Sequence, residues 1–205
     1  MSTPANTIPV GYSDIAPGHV ATVVTSLEML APPVAEAVAL PADVSLEAFT
    51  CGDLNVYRAL FRKVGADWLW FSRLMMDDSK LAATLNKEGV DVYVIRQADE
   101  DIGLLELDFS EPGECELSFL GLTSNSTGRG LGRAVMSQAL ALAWSKPISR
   151  FWVHTCTFDH PSALSFYIRS GFKPYAFQVE VQVDPRLAGY LPLDAAPHVP
   201  VIAAD

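Results

Sequence analysis

The sequence predicts an α/β protein built on a mixed, mostly antiparallel central sheet flanked by helices. Three observations predict it. The alternating runs 101–109 and 114–122 flank "SEPG" and read as a β-hairpin. A glycine-dense stretch, "STGRGLGRAV" (126–135), leads the hairpin into a strong helix former, "RAVMSQALALAW" (133–144). A strand, a short helix and a last strand follow over 148–183. The strand before the glycine loop and the strand after its helix are then parallel neighbours joined by a right-handed crossover.

The remaining elements follow in chain order. Residues 1–16 are polar, contain Pro and Gly, and read as irregular. The β-branched run 19–30 reads as a strand, ended by "APPVAEAVALPADV". Leu54, Tyr57, Leu60 and Phe61 recur at helical spacing within 53–64. The aromatic run 67–87 continues as helix, with Asp77–Ser79 capping a second piece. "VDVYVIRQ" (90–97) alternates as a strand, and 148–158 is another. Residues 159–171 form a short helix with Pro161 in its first turn and Gly171 at its C-cap, and 175–183 is the last strand. Residues 184–205 form a Pro-rich tail apolar enough to pack on the body, so 1–205 reads as a single domain.

Composition excludes several classes. A net charge of −10 argues against a phosphate-backbone nucleic-acid binder and mildly favours a cationic acceptor. Cys51, Cys115 and Cys156 form no CxxC pair, so neither a metal site nor a disulfide framework is expected; Cys115 and Cys156 are expected to be buried. The N-terminus lacks a signal-peptide pattern, and no apolar run approaches the ~20 residues of a membrane span. A cytoplasmic protein is the simplest reading.

A glycine-rich turn entering a helix aims backbone N–H groups and the helix dipole at one point, and Arg129 and Arg133 add positive charge. The natural guest is a diphosphate. A Walker loop is excluded because no lysine stands at its required place. A dinucleotide fingerprint fails in both frames, since Arg133 and Val135 occupy the third-glycine positions. A G-x-G-x-G turn remains.

"TGRGLGRAV" resembles the acetyl-CoA loop of the GNAT superfamily of N-acetyltransferases, with pattern [QR]-x-x-G-x-[GA]. Gly130 and Gly132 match its glycines, while Thr127 stands where Gln or Arg is usual. "DHPSALSFYIRSGF" (159–172) is similar to the family's next element. Asp159, Ala163, Phe166, Tyr167, Gly171 and Phe172 match, and His160 stands where Asn often contacts the cofactor. The resemblance covers roughly 90–183.

The resemblance implies splayed parallel strands that form an acyl-CoA cleft. It places the diphosphate on Thr127, Gly128, Arg129, Gly130, Leu131, Gly132 and Arg133, with His160, Ala163 and Tyr167 alongside. The pantetheine arm would lie along "FLGL" and pair with the main chain near Leu120 and Leu122; the Leu122 N–H is the implied oxyanion donor. Tyr167 is the implied general acid, since a tyrosine hydroxyl stays protonated at neutral pH. Two glutamates interrupt apolar strands, Glu116 and Glu106, and the short turn is expected to bring them near each other. Glu116 is the first candidate base and Glu106 the second, with an ordered water as the other route. His154 reads as a pocket residue, a proton relay, or a strand histidine bonded to backbone. Trp68, Trp70 and Arg73 read as an acceptor-side wall or as core. Arg73 would suit an acceptor carboxylate.

The reading is an acetyl-CoA-dependent N-acetyltransferase acting on a primary amine of a small-molecule or peptide acceptor, without metal, nucleic acid or membrane. A non-catalytic acyl-CoA-binding module of the same fold is the alternative. The tail is able to pack within one subunit or between two, so a homodimer stays open.

Overall fold

The computed structural model describes residues 7–34, 36–50, 52–127 and 130–203. Seven strands form one sheet, in the order β2-β3-β4-β5-β6-β1-β7. The strands are β1 (His19–Met29), β2 (Val44–Ala48), β3 (Val90–Gln97), β4 (Glu100–Asp108), β5 (Glu114–Leu122), β6 (Arg150–Cys156) and β7 (Lys173–Val183). Only β5 and β6 pair in parallel; every other pair is antiparallel. The helices are α1 (Leu54–Gly65), α2 (Asp78–Leu85), α3 (Leu131–Trp144) and α4 (Ala163–Arg169).

The two sheet faces bury different clusters. On the front, α1 brings Tyr57, Phe61 and Val64 onto Leu104 and Val94. On the back, α3 and α4 bring Met136, Ala139 and Tyr167 onto Leu105, Leu117, Phe151 and Val153. The helix ends follow sequence chemistry. Asp53 caps α1 by accepting from the Asn55 N–H at 2.8 Å, and Asp77 caps α2 from the Lys80 N–H at 2.8 Å. The tail folds onto the front, where Leu191, Ala196 and Val199 join the front core. Its organiser is Arg186, 3% exposed, which donates to both Asp184 oxygens and to the carbonyls of Ala195 and Val199.

The structure corrects several expectations. Residues 67–76 are not helical: a single 3₁₀ turn, Ala66–Trp68, ends at Leu69, whose φ of 53° is left-handed. β2 was not anticipated; its "VSLEA" carries one buried residue and pairs only with β3, as an edge strand. α4 starts at Ala163, so Pro161 precedes the helix. Gly171 does close it, at φ 105°, with the Phe172 N–H bonded back to the Tyr167 carbonyl. β7 begins at Lys173 and α3 at Leu131, each two residues earlier than read. Cys115 is buried, whereas Cys156 is only partly so. Among the described residues no helix is long and apolar enough to cross a membrane, and no metal-holding cluster of His, Cys, Asp and Glu occurs.

Candidate active site

The parallel pairing of β5 with β6 lasts three residues, from Glu114/Arg150 to Glu116/Trp152. Beyond it the strands diverge. The cause lies on the other edge of β5, where the register against β4 shifts between Glu106 and Leu107 and leaves Ser118 as an extra residue. Such a bulge bends a strand away from its neighbour. The bend opens a gap between Leu117–Leu122 and Val153–Cys156.

Hydrogen-bond alternation decides what β5 offers to that gap. The Thr123 N–H bonds to the Ile102 carbonyl at 2.8 Å, and Gly103 stands opposite Leu122. In an antiparallel ladder, hydrogen-bonded and non-bonded pairs alternate. Phe119 and Gly121 therefore bond to β4, and the main-chain groups of Leu120 and Leu122 turn toward β6 and the gap. This is the orientation the resemblance implies for both residues.

At the mouth of the gap stands the N-terminus of α3. Gly130 takes φ 79°, a left-handed conformation suited to glycine, and among the described residues no side chain caps the helix. A Cβ at Gly132 would meet nothing nearer than Phe166 at 3.9 Å. The first N–H groups of α3 are thus left for a ligand. Thr127 donates its hydroxyl to the Ser124 carbonyl at 2.8 Å, which closes the turn before the loop. Gly128 and Arg129 lie outside the described residues. Leu131 is buried in the core and Arg133 is exposed.

Tyr167 lies in the back core with Leu117 and Val153, which border the gap. It is 8% exposed, packs against Phe172 and Phe166, and has no hydrogen-bond partner among the described residues. Burial, reinforced by the charge of Asp159, pushes its hydroxyl well above the usual tyrosine range. Ala163 lies one turn earlier and packs on the same core. The His160 ring nitrogen accepts from the Ser162 N–H at 3.1 Å, organising the entry to α4.

The two glutamates do not meet as expected. Glu116 stands opposite Asp108, and Glu106 opposite Phe119, because the bulge and the turn separate them along the hairpin. Each has its own partners. Glu106, 1% exposed, accepts from the Tyr57 hydroxyl at one oxygen and from Arg73 at the other, at 2.9 Å. Burial and the adjacent Glu106 charge push Tyr57 far up, so it serves as donor. Glu116, with a quarter of its side chain exposed, faces His154 on β6 at 3.5 Å. That contact holds His154 above its ordinary value against the effect of burial, with Asp159 and Glu180 adding to it. The pair sits where the parallel ladder ends.

The front of the gap is spanned by Trp70. A Cβ at Gly121 would lie 2.8 Å from the Trp70 ring, so indole and strand are in close contact there. The Trp70 Nε1–H donates to Asp159, just beyond β6, at 3.2 Å. Asp159 also accepts from the Thr155 hydroxyl and the Cys156 N–H, which fixes the end of β6. Arg73 lies 4.9 Å over the Phe119 ring, beside Trp70. Trp68 stands apart from them, edge-on to His160 at 5.1 Å and near His198 of the tail. The structure thus joins Trp70 and Arg73 into one wall and His154 with Glu116 into another. Sequence reasoning missed Tyr57 as the partner of Glu106, and Asp159 as the anchor of Trp70. The only signal for the latter was its place at the head of the second motif.

A glycine-led helix faces two splayed parallel strands, the arrangement that the resemblance to the GNAT superfamily implies. The chain belongs to the acetyltransferase (GNAT) family, whose model matches residues 58–172. The family uses acetyl-CoA as acyl donor. No functionally curated protein matches it in sequence. Solved structures share the fold. A GCN5-related N-acetyltransferase from Sphaerobacter thermophilus is 14% identical with a TM-score of 0.59, covering 82% of this chain and 52% of that one. One from Kribbella flavida is 18% identical with a TM-score of 0.54, covering 84% and 63%. A GNAT-family protein from Novosphingobium aromaticivorans, described as an acetyltransferase, is 15% identical with a TM-score of 0.54, covering 82% and 69%. The chain spans about half of the first of these and less than two thirds of the second.

Proposed function

We propose that the chain transfers the acetyl group of acetyl-CoA to a primary amine of a small-molecule acceptor, by direct attack with donor and acceptor bound together. The observation that carries this reading is the orientation of Leu120 and Leu122. Their main-chain groups face a gap bounded by a proton donor on one side and a proton-accepting pair on the other.

The residues present fit the donor. The N-terminus of α3 suits its diphosphate, with Thr127 and Arg133 beside it and Gly128 and Arg129 assigned from the motif alone. The edge of β5 suits the amide-bearing arm as an added strand. When bound, the thioester supplies an electrophilic acetyl carbon. The Leu122 N–H then lies where negative charge develops on the acyl oxygen.

Glu116 and His154 take the proton lost by the attacking amine. They face each other at 3.5 Å, and both are open enough to pass that proton to water. As the new C–N bond forms and the C–S bond breaks, Tyr167 gives its proton to the sulfur. Its raised pKa keeps that proton available across the physiological range. Glu106, with both oxygens engaged, is assigned instead to holding Arg73 and α1 in place. Trp70, Arg73 and Phe119 form the acceptor-side wall, with Trp68 and His160 behind it.

Thiol release from acetyl-CoA with a panel of amines tests the reading. Amine-dependent release that falls in both Tyr167→Phe and Glu116→Gln supports it. Rates untouched by both substitutions refute the assigned roles. Tight acetyl-CoA binding with no release on any amine supports the non-catalytic module instead.

A further inference from the structure

The back of the sheet is only partly covered. α3 and α4 lie over β4, β5, β6 and the second half of β1, but among the described residues no element lies over β7 and the first half of β1. The uncovered surface is apolar. Phe177, Val179, Val181 and Val183 alternate along β7 and are 74%, 44%, 51% and 55% exposed. Phe177 pairs with Thr25 and Val179 with Val23, so these side chains share the face of β1 that carries Leu27 and Met29 into the back core. Val23 is itself 43% exposed.

α4 extends the same surface. Its Phe166 points toward α3 and its Tyr167 toward the sheet. Helical residues advance by ~100° each, so Leu164 and Ile168 lie on the flank away from α3, toward β1 and β7. They are 38% and 46% exposed. The result is a shallow apolar trough with a β-sheet floor and one helical wall. The charged and amide side chains of β7, such as Glu180, occupy the opposite, front face.

We propose that this trough is the interface of a homodimer, in which two copies pack their β1–β7 back faces together about a two-fold axis. The chain's own described termini do not supply the cover: Val199 packs in the front core, and Ile15 and Ile202 gather with it at the start of β1, leaving Phe177, Val179 and Val181 exposed. The area suits a second copy. The exposed apolar side chains amount to on the order of 600 Å², at the top of what monomers show and close to the ~800 Å² per partner of a stable interface once its rim is included. The patch carries no charged side chain, so copies of a chain with net charge −10 meet there without placing like charges together. Two such faces stack at the ~10 Å spacing of a β-sandwich. The interface would also brace α4, which carries Tyr167.

Sedimentation of the whole chain over micromolar concentrations tests this, independently of any activity. The wild type is expected to be a dimer. Phe177→Glu is expected to weaken association at least ~100-fold while leaving the circular dichroism spectrum and Tm nearly unchanged, because Phe177 is exposed in the monomer. Val181→Lys, a second variant, is expected to do the same. A monomeric wild type overturns the proposal, as does a dimer that survives both substitutions. A monomer that instead floats with phosphatidylethanolamine–phosphatidylglycerol vesicles also overturns it and assigns the face to lipid.

Discussion

Tyr167 and Glu116 stand in different environments, and each environment predicts a different response. Tyr167 is buried and has no described hydrogen-bond partner, so Tyr167→Phe removes one oxygen without opening a cavity. Turnover is expected to fall about 10²-fold with little change in acetyl-CoA affinity, read as thiol release at saturating donor. Glu116 acts on His154. The folded-state pKa of His154 is raised above its ordinary value, so the stability this contact contributes is present below that value and is lost as pH rises through the raised one. The limb of kcat/KM that rises with pH should follow the same titration. In Glu116→Gln the carboxylate that raises His154 is gone, so the His154 resonance should titrate at lower pH by NMR and that limb should move with it. An unmoved limb would separate His154 from the proton path. Arg186 makes a purely structural case: Arg186→Met leaves Asp184 buried without its partner, a loss of about 3–5 kcal/mol, measured by urea unfolding.

At the level of elements, the site depends on the bulge at Ser118 and on the aromatic contact above it. Gly121 is a tight point on the strand. A methyl group there would sit 2.4 Å from Val64 Cγ1 and 2.8 Å from the Trp70 ring. Gly121→Ala should therefore destabilise the chain by about 1–3 kcal/mol in thermal unfolding, and should raise the acceptor KM by displacing Trp70. Elements with local signals were legible in the sequence. The hairpin, the α3 run and the Gly171 cap each follow from short-range spacing and turn chemistry. β2 was not, because a strand with one buried side chain lacks the alternation that marks a half-buried one. Residues 67–76 misled because their aromatics pack from turns onto Phe61 and Phe119, which mimics an amphipathic helix. Within the site, Leu120, Leu122 and Tyr167 were placed through the motif resemblance. The split of Glu106 from Glu116 was not legible, since a one-residue bulge changes which side chains face each other and leaves no mark in composition.

For the molecule as a whole, the front and back of one sheet carry different tasks. The front holds α1, the folded tail and the wall of Trp70, Arg73 and Phe119; the back holds the helices that flank the gap, and beside them the uncovered apolar trough. The seating of β1 between β6 and β7 was not legible, because it joins the first strand to the last two across more than a hundred residues. It leaves one strand, β6, between the chain's N-terminal strand and the gap. The family uses acetyl-CoA, and the gap between β5 and β6 is where the proposed function puts that donor. Amide-resolved NMR during titration with acetyl-CoA tests that placement most directly. The account predicts that the Leu120, Leu122 and Gly132 amides shift together and saturate at one affinity. Saturable binding that leaves those three amides unmoved would contradict it.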